Sequence, residues 1–317
     1  MLAEEAIGLF DVKRAEKILT KKLEGVKVKL TNPTKEMKEF EKLKDFGAEV
    51  EVEESGEPSI VISNGEVEIV YKATPVQMEF EPFLRTLLRL SEGGEEGLKL
   101  EGCKGEIKVF VAPICPHCAQ VVESVNRIAI ANPQIKVEII DVTLYPDLGE
   151  KYEVTSAPTI VIGEDVKLVG DHSLEELLDW IKRTLCGEDY RVEYYIMLLK
   201  DGRIDEVKEA IEKDEKNLLV LAEVLERPEI MARVGAMMIL EEIFEKDPEK
   251  VKAVKEKILE ILKKGDPTAI QDAAYILGKI GSKEDIPLLE ELLNSENEDV
   301  REAVEEAIEE IKEREEK

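Results

Sequence analysis

Two cysteines separated by two residues are the strongest chemical signal in this chain. Cys115-Pro116-His117-Cys118 follows an apolar run, Ile107 to Val111, that predicts a buried strand. It precedes Ala119-Gln120-Val121-Val122-Glu123-Ser124-Val125, which predicts a helix. Cys-x-x-Cys between a strand and a helix is the setting in which the pair serves as a redox dithiol. Pro116 falls at the first helical position, where its missing N–H is no loss and its fixed φ suits the helix. Cys115 then caps the helix, its sulfur facing unpaired backbone N–H groups and the positive end of the helix dipole. That field favours thiolate over thiol, so Cys115 is the expected nucleophile. Cys118, in the first turn, is placed to attack a mixed disulfide formed on Cys115. A zinc site is the competing use of such a pair, but zinc wants four ligands. The other candidates, Cys103, Cys186, His117 and His172, supply no second pair, so neither a metal nor any other cofactor is expected.

His117 has two readings. It is either an inert surface residue or, lying between the two cysteines, a source of positive charge or a hydrogen bond for the Cys115 sulfur. The second use stabilises thiolate, favours the reduced pair and makes the disulfide a better oxidant. His172, in a loop after Asp171, reads as a surface residue.

Composition narrows the setting. The chain has 317 residues, enough for two or three domains, and 43% are hydrophobic. No stretch approaches the roughly 18 consecutive apolar residues of a membrane span. The first residues, Met1-Leu2-Ala3-Glu4-Glu5-Ala6, include acids and no basic region, unlike a secretory signal, so the expected location is cytoplasmic. A formal net charge of -28 repels phosphate and argues against nucleic acid as a partner. Charged residues make up 37%, mainly Glu and Lys, a balance that suits a thermophile stabilised by surface ion pairs.

The elements that must position the dithiol follow from periodicity and turn residues. A helix is predicted over 3–23, a strand at Val26–Leu30, a helix over 34–46 and a strand over 48–54. Strands at 59–63 and 66–71, joined by Asn64-Gly65, read as a hairpin. A helix over 78–90 and the linker Ser91-Glu92-Gly93-Gly94 end this part. The order then repeats: strand 107–111, helix 116–131, strand 137–141, strands 160–162 and 166–169, and a helix over 173–185. Ser173 and Glu176 form a capping box for that last helix. Pro58-Ser59-Ile60-Val61-Ile62 also matches Pro158-Thr159-Ile160-Val161-Ile162 one hundred residues on. The two parts are internal copies. In the first, Thr34 and Met37 occupy the positions of Cys115 and Cys118, so that copy is redox-dead, with a structural or docking role.

With β-α-β then β-β-α occurring twice, residues 10–186 resemble the archaeal protein disulfide oxidoreductases, a glutaredoxin-like family of two fused thioredoxin folds. They are also similar to the N-terminal module of bacterial alkyl hydroperoxide reductase flavoproteins. The matching motifs are Cys115-Pro116-His117-Cys118 and Ala157-Pro158-Thr159. The resemblance implies a cis Ala157–Pro158 bond that sets the Ala157 backbone beside the sulfurs, where an extended substrate can pair. Pro58 is a candidate for the same geometry. The motif is also that of periplasmic disulfide oxidases, which favours the tuning role for His117. The first copy departs from the archaeal pattern by lacking a dithiol, which removes any isomerase activity that needs two sites. The buried acid that thioredoxins keep in the strand before the motif is missing, since Val109 and Phe110 stand there. Proton transfer must then use water or a Glu or Lys from elsewhere. In this fold Cys103 and Cys186 fall at the pole opposite the dithiol, where they form a structural disulfide or stand as two free thiols.

From Glu188 the pattern is helical throughout. Three segments, 233–240, 273–281 and 300–308, anchored on Leu240, Leu277 and Ile308, share small residues and aliphatic spacing and resemble HEAT repeats. The expected architecture is α/β, two tandem thioredoxin-like domains followed by an all-α HEAT-type solenoid. The boundaries are 1–100 for the redox-dead domain, 101–187 for the Cys-Pro-His-Cys domain and 188–317 for the repeats. The expected function is thiol–disulfide exchange on protein disulfides or dithiols, supported by a thioredoxin reductase-like flavoprotein, with a protein partner on the repeats. Two alternatives stay open: an electron shuttle between a flavin disulfide reductase and a peroxidase, and a non-catalytic redox-sensing adaptor.

Overall fold

The apolar runs of the first two-thirds of the chain become eight strands of a single mixed sheet. The protein, seen in a computed structural model that describes residues 9–316, divides into two compact units, Met1–Asp189 and Tyr190–Lys317. The first unit begins with α1 (Val12–Ile18), β1 (Lys27–Thr31), α2 (Lys35–Lys38) running into a 3₁₀ segment (Glu39–Phe46), β2 (Glu49–Glu53), β3 (Ser59–Ser63), β4 (Glu68–Lys72) and α3 (Phe80–Glu92). After a short 3₁₀ turn at Glu96–Leu98 come β5 (Gly105–Val111), α4 (Pro116–Ala131), β6 (Ile135–Asp141), α5 (Pro146–Lys151), β7 (Thr159–Ile162), β8 (Val166–Val169) and α6 (Leu174–Leu185).

The strand order is β2-β1-β3-β4-β6-β5-β7-β8, so each half repeats one topology. Within each half two parallel strands flank a hairpin, β3–β4 or β7–β8, that pairs antiparallel. The halves are two thioredoxin-like folds. They are fused where β4 pairs parallel with β6, Ile69 against Val137 through Lys72 against Ile140. Buried polar groups fasten the seam: Asn126 of α4 donates from Nδ2 to the Tyr71 hydroxyl at 2.6 Å and to Thr86 Oγ1 of α3 at 3.2 Å. The Tyr145 hydroxyl donates to the Pro58 carbonyl. Ion pairs bridge the same seam, Arg89 to Glu123 at 2.8 Å and Arg127 to Glu95 at 2.7 Å.

Three local expectations need correction. The helix expected over 3–23 is Val12–Ile18 within the described residues, because Asp11 accepts the Arg14 N–H and starts it there; positions 3–8 lie outside those residues. The helix expected over 34–46 tightens to 3₁₀ after Lys38. Phe40, Leu43 and Phe46, spaced by three, eclipse on one face of a 3₁₀ helix, and the first two are fully buried. The helix α5 has no counterpart among the elements expected from periodicity. Its six residues, Pro-Asp-Leu-Gly-Glu-Lys, are too few and too polar to show a period.

The second unit is all helical: α7 (Arg191–Lys200), α8 (Ile204–Lys213), α9 (Asn217–Val224), α10 (Ile230–Lys246), α11 (Val251–Lys264), α12 (Pro267–Ile280), α13 (Ile286–Leu292) and α14 (Glu298–Glu316). Short 3₁₀ turns at Pro248–Lys250 and Lys283–Asp285 link some of them. Leu240, Leu277 and Ile308 are buried on α10, α12 and α14. Small residues let these helices approach: a Cβ on Gly278 would come within 3.2 Å of the Ala307 Cα. Buried Arg233 of α10 is neutralised by Asp272 of α12 at 2.6 Å. Among the described residues no helix is long and apolar enough to cross a membrane.

Cys103, just before β5, and Cys186, just after α6, are bonded to each other with Cα atoms 4.3 Å apart. The bond closes 83 residues of chain, which restricts the unfolded state by about 4.5 kcal/mol on the chain-entropy account. Replacing both by Ser is expected to lower unfolding stability by a few kcal/mol in denaturant titrations while leaving disulfide exchange at Cys115 intact.

Candidate active site

Strand β5 delivers the chain to a turn, Ala112-Pro113-Ile114, and Cys115 begins α4 as its N-cap. The Cys115 backbone is extended, φ −99° and ψ 110°, with Pro116 in the first helical turn. The Cys118 N–H points at the Cys115 sulfur, 3.1 Å away. One of the orphan donors of a helix N-terminus thus faces the sulfur that must carry negative charge. The two cysteines are bonded, with Cα atoms 5.3 Å apart. They are unequal: Cys118 is fully buried, and Cys115 is partly exposed. An incoming sulfur can reach only one of them.

The Ala157–Pro158 peptide is cis, and the Ala157 carbonyl oxygen lies 3.7 Å from the Cys115 sulfur. Pro158 is buried and its own carbonyl accepts the Gly170 N–H at 2.9 Å. Ala157 therefore offers the backbone edge beside the sulfur. Pro58, the matching residue of the first fold, is trans; no sulfur pair faces it there, and its carbonyl holds the Tyr145 hydroxyl instead.

His117 is exposed, and its Nδ1 lies 3.2 Å from an Asp171 carboxylate oxygen. The contact joins the motif to the loop after β8. His172, expected at the surface, is half-buried: its side chain is 18% exposed and its Nε2 is buried without a hydrogen-bond partner. It precedes the N-cap Ser173, whose capping box is formed, and a residue at that position folds back over the first helical turn.

One acid of the site gave no signal in the sequence. Cys115 opens onto a cleft of about 240 Å³ whose opposite wall comes from the redox-dead fold, including Thr34, Val76 and Glu79. Glu79 sits at the start of α3, in the same cleft as the sulfur. Burial pushes its carboxyl up to about 7, with a further push from the Asp141 carboxylate. The strand before the motif carries no buried acid: Val109 and Phe110 are fully buried there, and Glu106 at its start is exposed and paired with Lys108. No periodicity marked Glu79: an acid ahead of an apolar helix reads as an ordinary first-turn residue, and the Asp141 carboxylate that adds to its shift belongs to the other fold. The cysteines Cys103 and Cys186 pair with each other, and among the described residues no group of three His, Cys, Asp or Glu side chains is gathered as a metal site.

Residues 105–182 match the thioredoxin domain and residues 218–309 the HEAT repeats. A thioredoxin of Methanocaldococcus jannaschii is 36% identical over 83 residues, which cover 26% of this chain and 98% of that protein. An alkyl hydroperoxide reductase component of Pseudomonas aeruginosa is 27% identical over 128 residues, 38% of this chain and 24% of that protein, so the match spans about a quarter of that relative. Among solved structures, a protein disulfide oxidoreductase from Aeropyrum pernix k1 aligns with a TM-score of 0.47 at 21% identity, over 57% of this chain and 95% of that one. The chain belongs to the thioredoxin family, as a thioredoxin-like disulfide oxidoreductase that also carries HEAT repeats.

Proposed function

We propose that the chain exchanges disulfides with client proteins in the cytoplasm through Cys115 and Cys118. The observation that carries this reading is their asymmetry: an accessible sulfur at a helix N-cap, bonded to a buried one. In the reducing direction the Cys115 thiolate attacks one sulfur of a client disulfide. The client S–S bond breaks, and the departing thiolate takes a proton from solvent. Cys118 then gives its proton to Glu79 and attacks the Cys115 sulfur, expelling the second client thiolate. Two electrons pass to the client and the Cys115–Cys118 bond is left behind. A flavoprotein of the disulfide reductase class would return the electrons; run backwards, the same steps oxidise a client dithiol.

Pro116 sets the helix start, and Ala157 and Pro158 present the backbone against which an extended client segment lies. His117, tied to Asp171, supplies charge or a hydrogen bond near the Cys115 sulfur and so tunes the potential. We assign residues 1–100 to a redox-dead fold that furnishes the far wall of the cleft, 101–187 to the dithiol fold, and 188–317 to repeats that recruit a protein partner. The second reading is electron transfer between a flavin disulfide reductase and a peroxidase. It is favoured by the match to alkyl hydroperoxide reductase, which at 128 residues is longer than one thioredoxin fold.

Two outcomes are expected. Turnover of a protein disulfide with dithiothreitol as reductant should vanish in Cys115→Ser, and Cys118→Ser should accumulate a mixed disulfide at Cys115 on non-reducing gels. Turnover surviving in Cys115→Ser would overturn the dithiol mechanism, and no turnover in the parent chain would leave only the adaptor reading. The second concerns Glu79, whose carboxyl rises from an ordinary 4.5 to about 7 on folding. Folding then takes up a proton between those values, and stability falls as pH rises through that window. Glu79→Gln stays neutral, so it should match the parent near pH 4 and exceed it by about 3 kcal/mol above pH 8 in urea titrations. The same substitution should slow attack by Cys118 and erase an inflection near pH 7 in its rate.

A further inference from the structure

The cleft at Cys115 has a one-sided lining. Its rim is apolar and open to solvent: Met78 and Leu144 are each 45% exposed and Ile114 is 75% exposed. Its charged groups are all acids, Glu36, Glu79 and Asp141, with no Lys, Arg or His among the lining residues. Met78 and Glu36 come from the redox-dead fold, and Ile114, Leu144 and Asp141 from the dithiol fold, so neither fold alone has this surface.

Ile114 carries a second signal. Its φ is +62°, a left-handed backbone that is unfavourable for a β-branched side chain. The residue gains nothing from core packing in return, since most of its surface is exposed. Strain of this kind, held next to a reactive group, points to what the side chain presents. Here it holds an aliphatic group at the edge of the cleft, one residue before the sulfur. Glu36 keeps the opposite side negative: its own backbone N–H and the Thr34 hydroxyl hold its carboxyl below the usual range.

We infer that the cleft selects client disulfides whose cysteine is flanked by an apolar residue and by Lys or Arg, and that it disfavours acidic segments and glutathione disulfide. The inference rests on the disulfide exchange proposed above and specifies its substrate class. An apolar neighbour of the client cysteine covers Ile114, Leu144 and Met78 and removes their surface from water. A basic neighbour meets the Glu36 and Asp141 carboxylates that line the same cleft. An acidic neighbour, or the carboxylates of glutathione, brings like charge to the same place.

Paired peptides test this. Each carries the same apolar residue beside a disulfide-bonded cysteine and differs only by Lys or Glu at the next position; rates are normalised to attack by dithiothreitol. The reduced full-length chain should attack the Lys peptide about tenfold faster than the Glu peptide. It should also reduce glutathione disulfide more slowly than the uncharged 2-hydroxyethyl disulfide. Glu36→Lys should collapse the peptide ratio toward one. Glu101→Lys, the same charge change near the far end of β5, should leave the ratio as it was. Equal rates for the two peptides, or a ratio moved equally by both variants, would overturn the selectivity while leaving the exchange reaction standing. Failure to reduce any of these disulfides, 2-hydroxyethyl disulfide included, would overturn both.

Discussion

The pairing of β4 with β6 is the constraint on which the site depends. It joins two complete thioredoxin-like folds into one sheet, with Tyr71 opposite Ile139. Side chains alternate faces along a strand, so a one-residue slip would turn Tyr71 to the other face and break its bond to Asn126. Tyr71 and Asn126 are both fully buried, which makes that slip expensive. With the register held, the turn after β4 and the start of α3 take a defined place beside Cys115. Glu79 is thereby set in the cleft onto which Cys115 opens.

The first fold, which has no cysteine, shares the local geometry of the dithiol site. Thr34 caps α2 by accepting the Met37 N–H at 3.2 Å, as Cys115 caps α4 by accepting the Cys118 N–H at 3.1 Å. Met37 is fully buried, as Cys118 is. A hydroxyl stands where one sulfur does and a thioether where the other does. The helix start and the β4–α3 turn of this fold form a wall of the cleft, and its exposed Met78 part of the rim.

Much of this was legible in the residues. Pro116, the apolar run before it and the amphipathic run after it located the active helix, and the observed α4 has the expected bounds. The repeated Pro-x-Ile-Val-Ile segments revealed the duplication, and Leu240, Leu277 and Ile308 marked the repeat cores. These signals are local or periodic. What escaped was non-local. Glu79 stands out only in a cleft shared with the other fold, and the His117–Asp171 contact spans 54 residues; α5 escaped for another reason, being too short to have a period. The half-buried His172 escaped because loop residues are exposed as a rule, and this one adjoins a helix cap.

The most direct test is to equilibrate the full-length chain with thiol–disulfide buffers of graded potential and to follow each cysteine by alkylation and mass. The account predicts a reversible two-electron couple at Cys115 and Cys118, at a potential between those of thioredoxin, about -270 mV, and the strongest oxidising relatives, about -120 mV. Cys103 and Cys186 should stay bonded over that range. A Cys115–Cys118 pair that shows no reversible couple, or that opens only together with Cys103–Cys186, would contradict it.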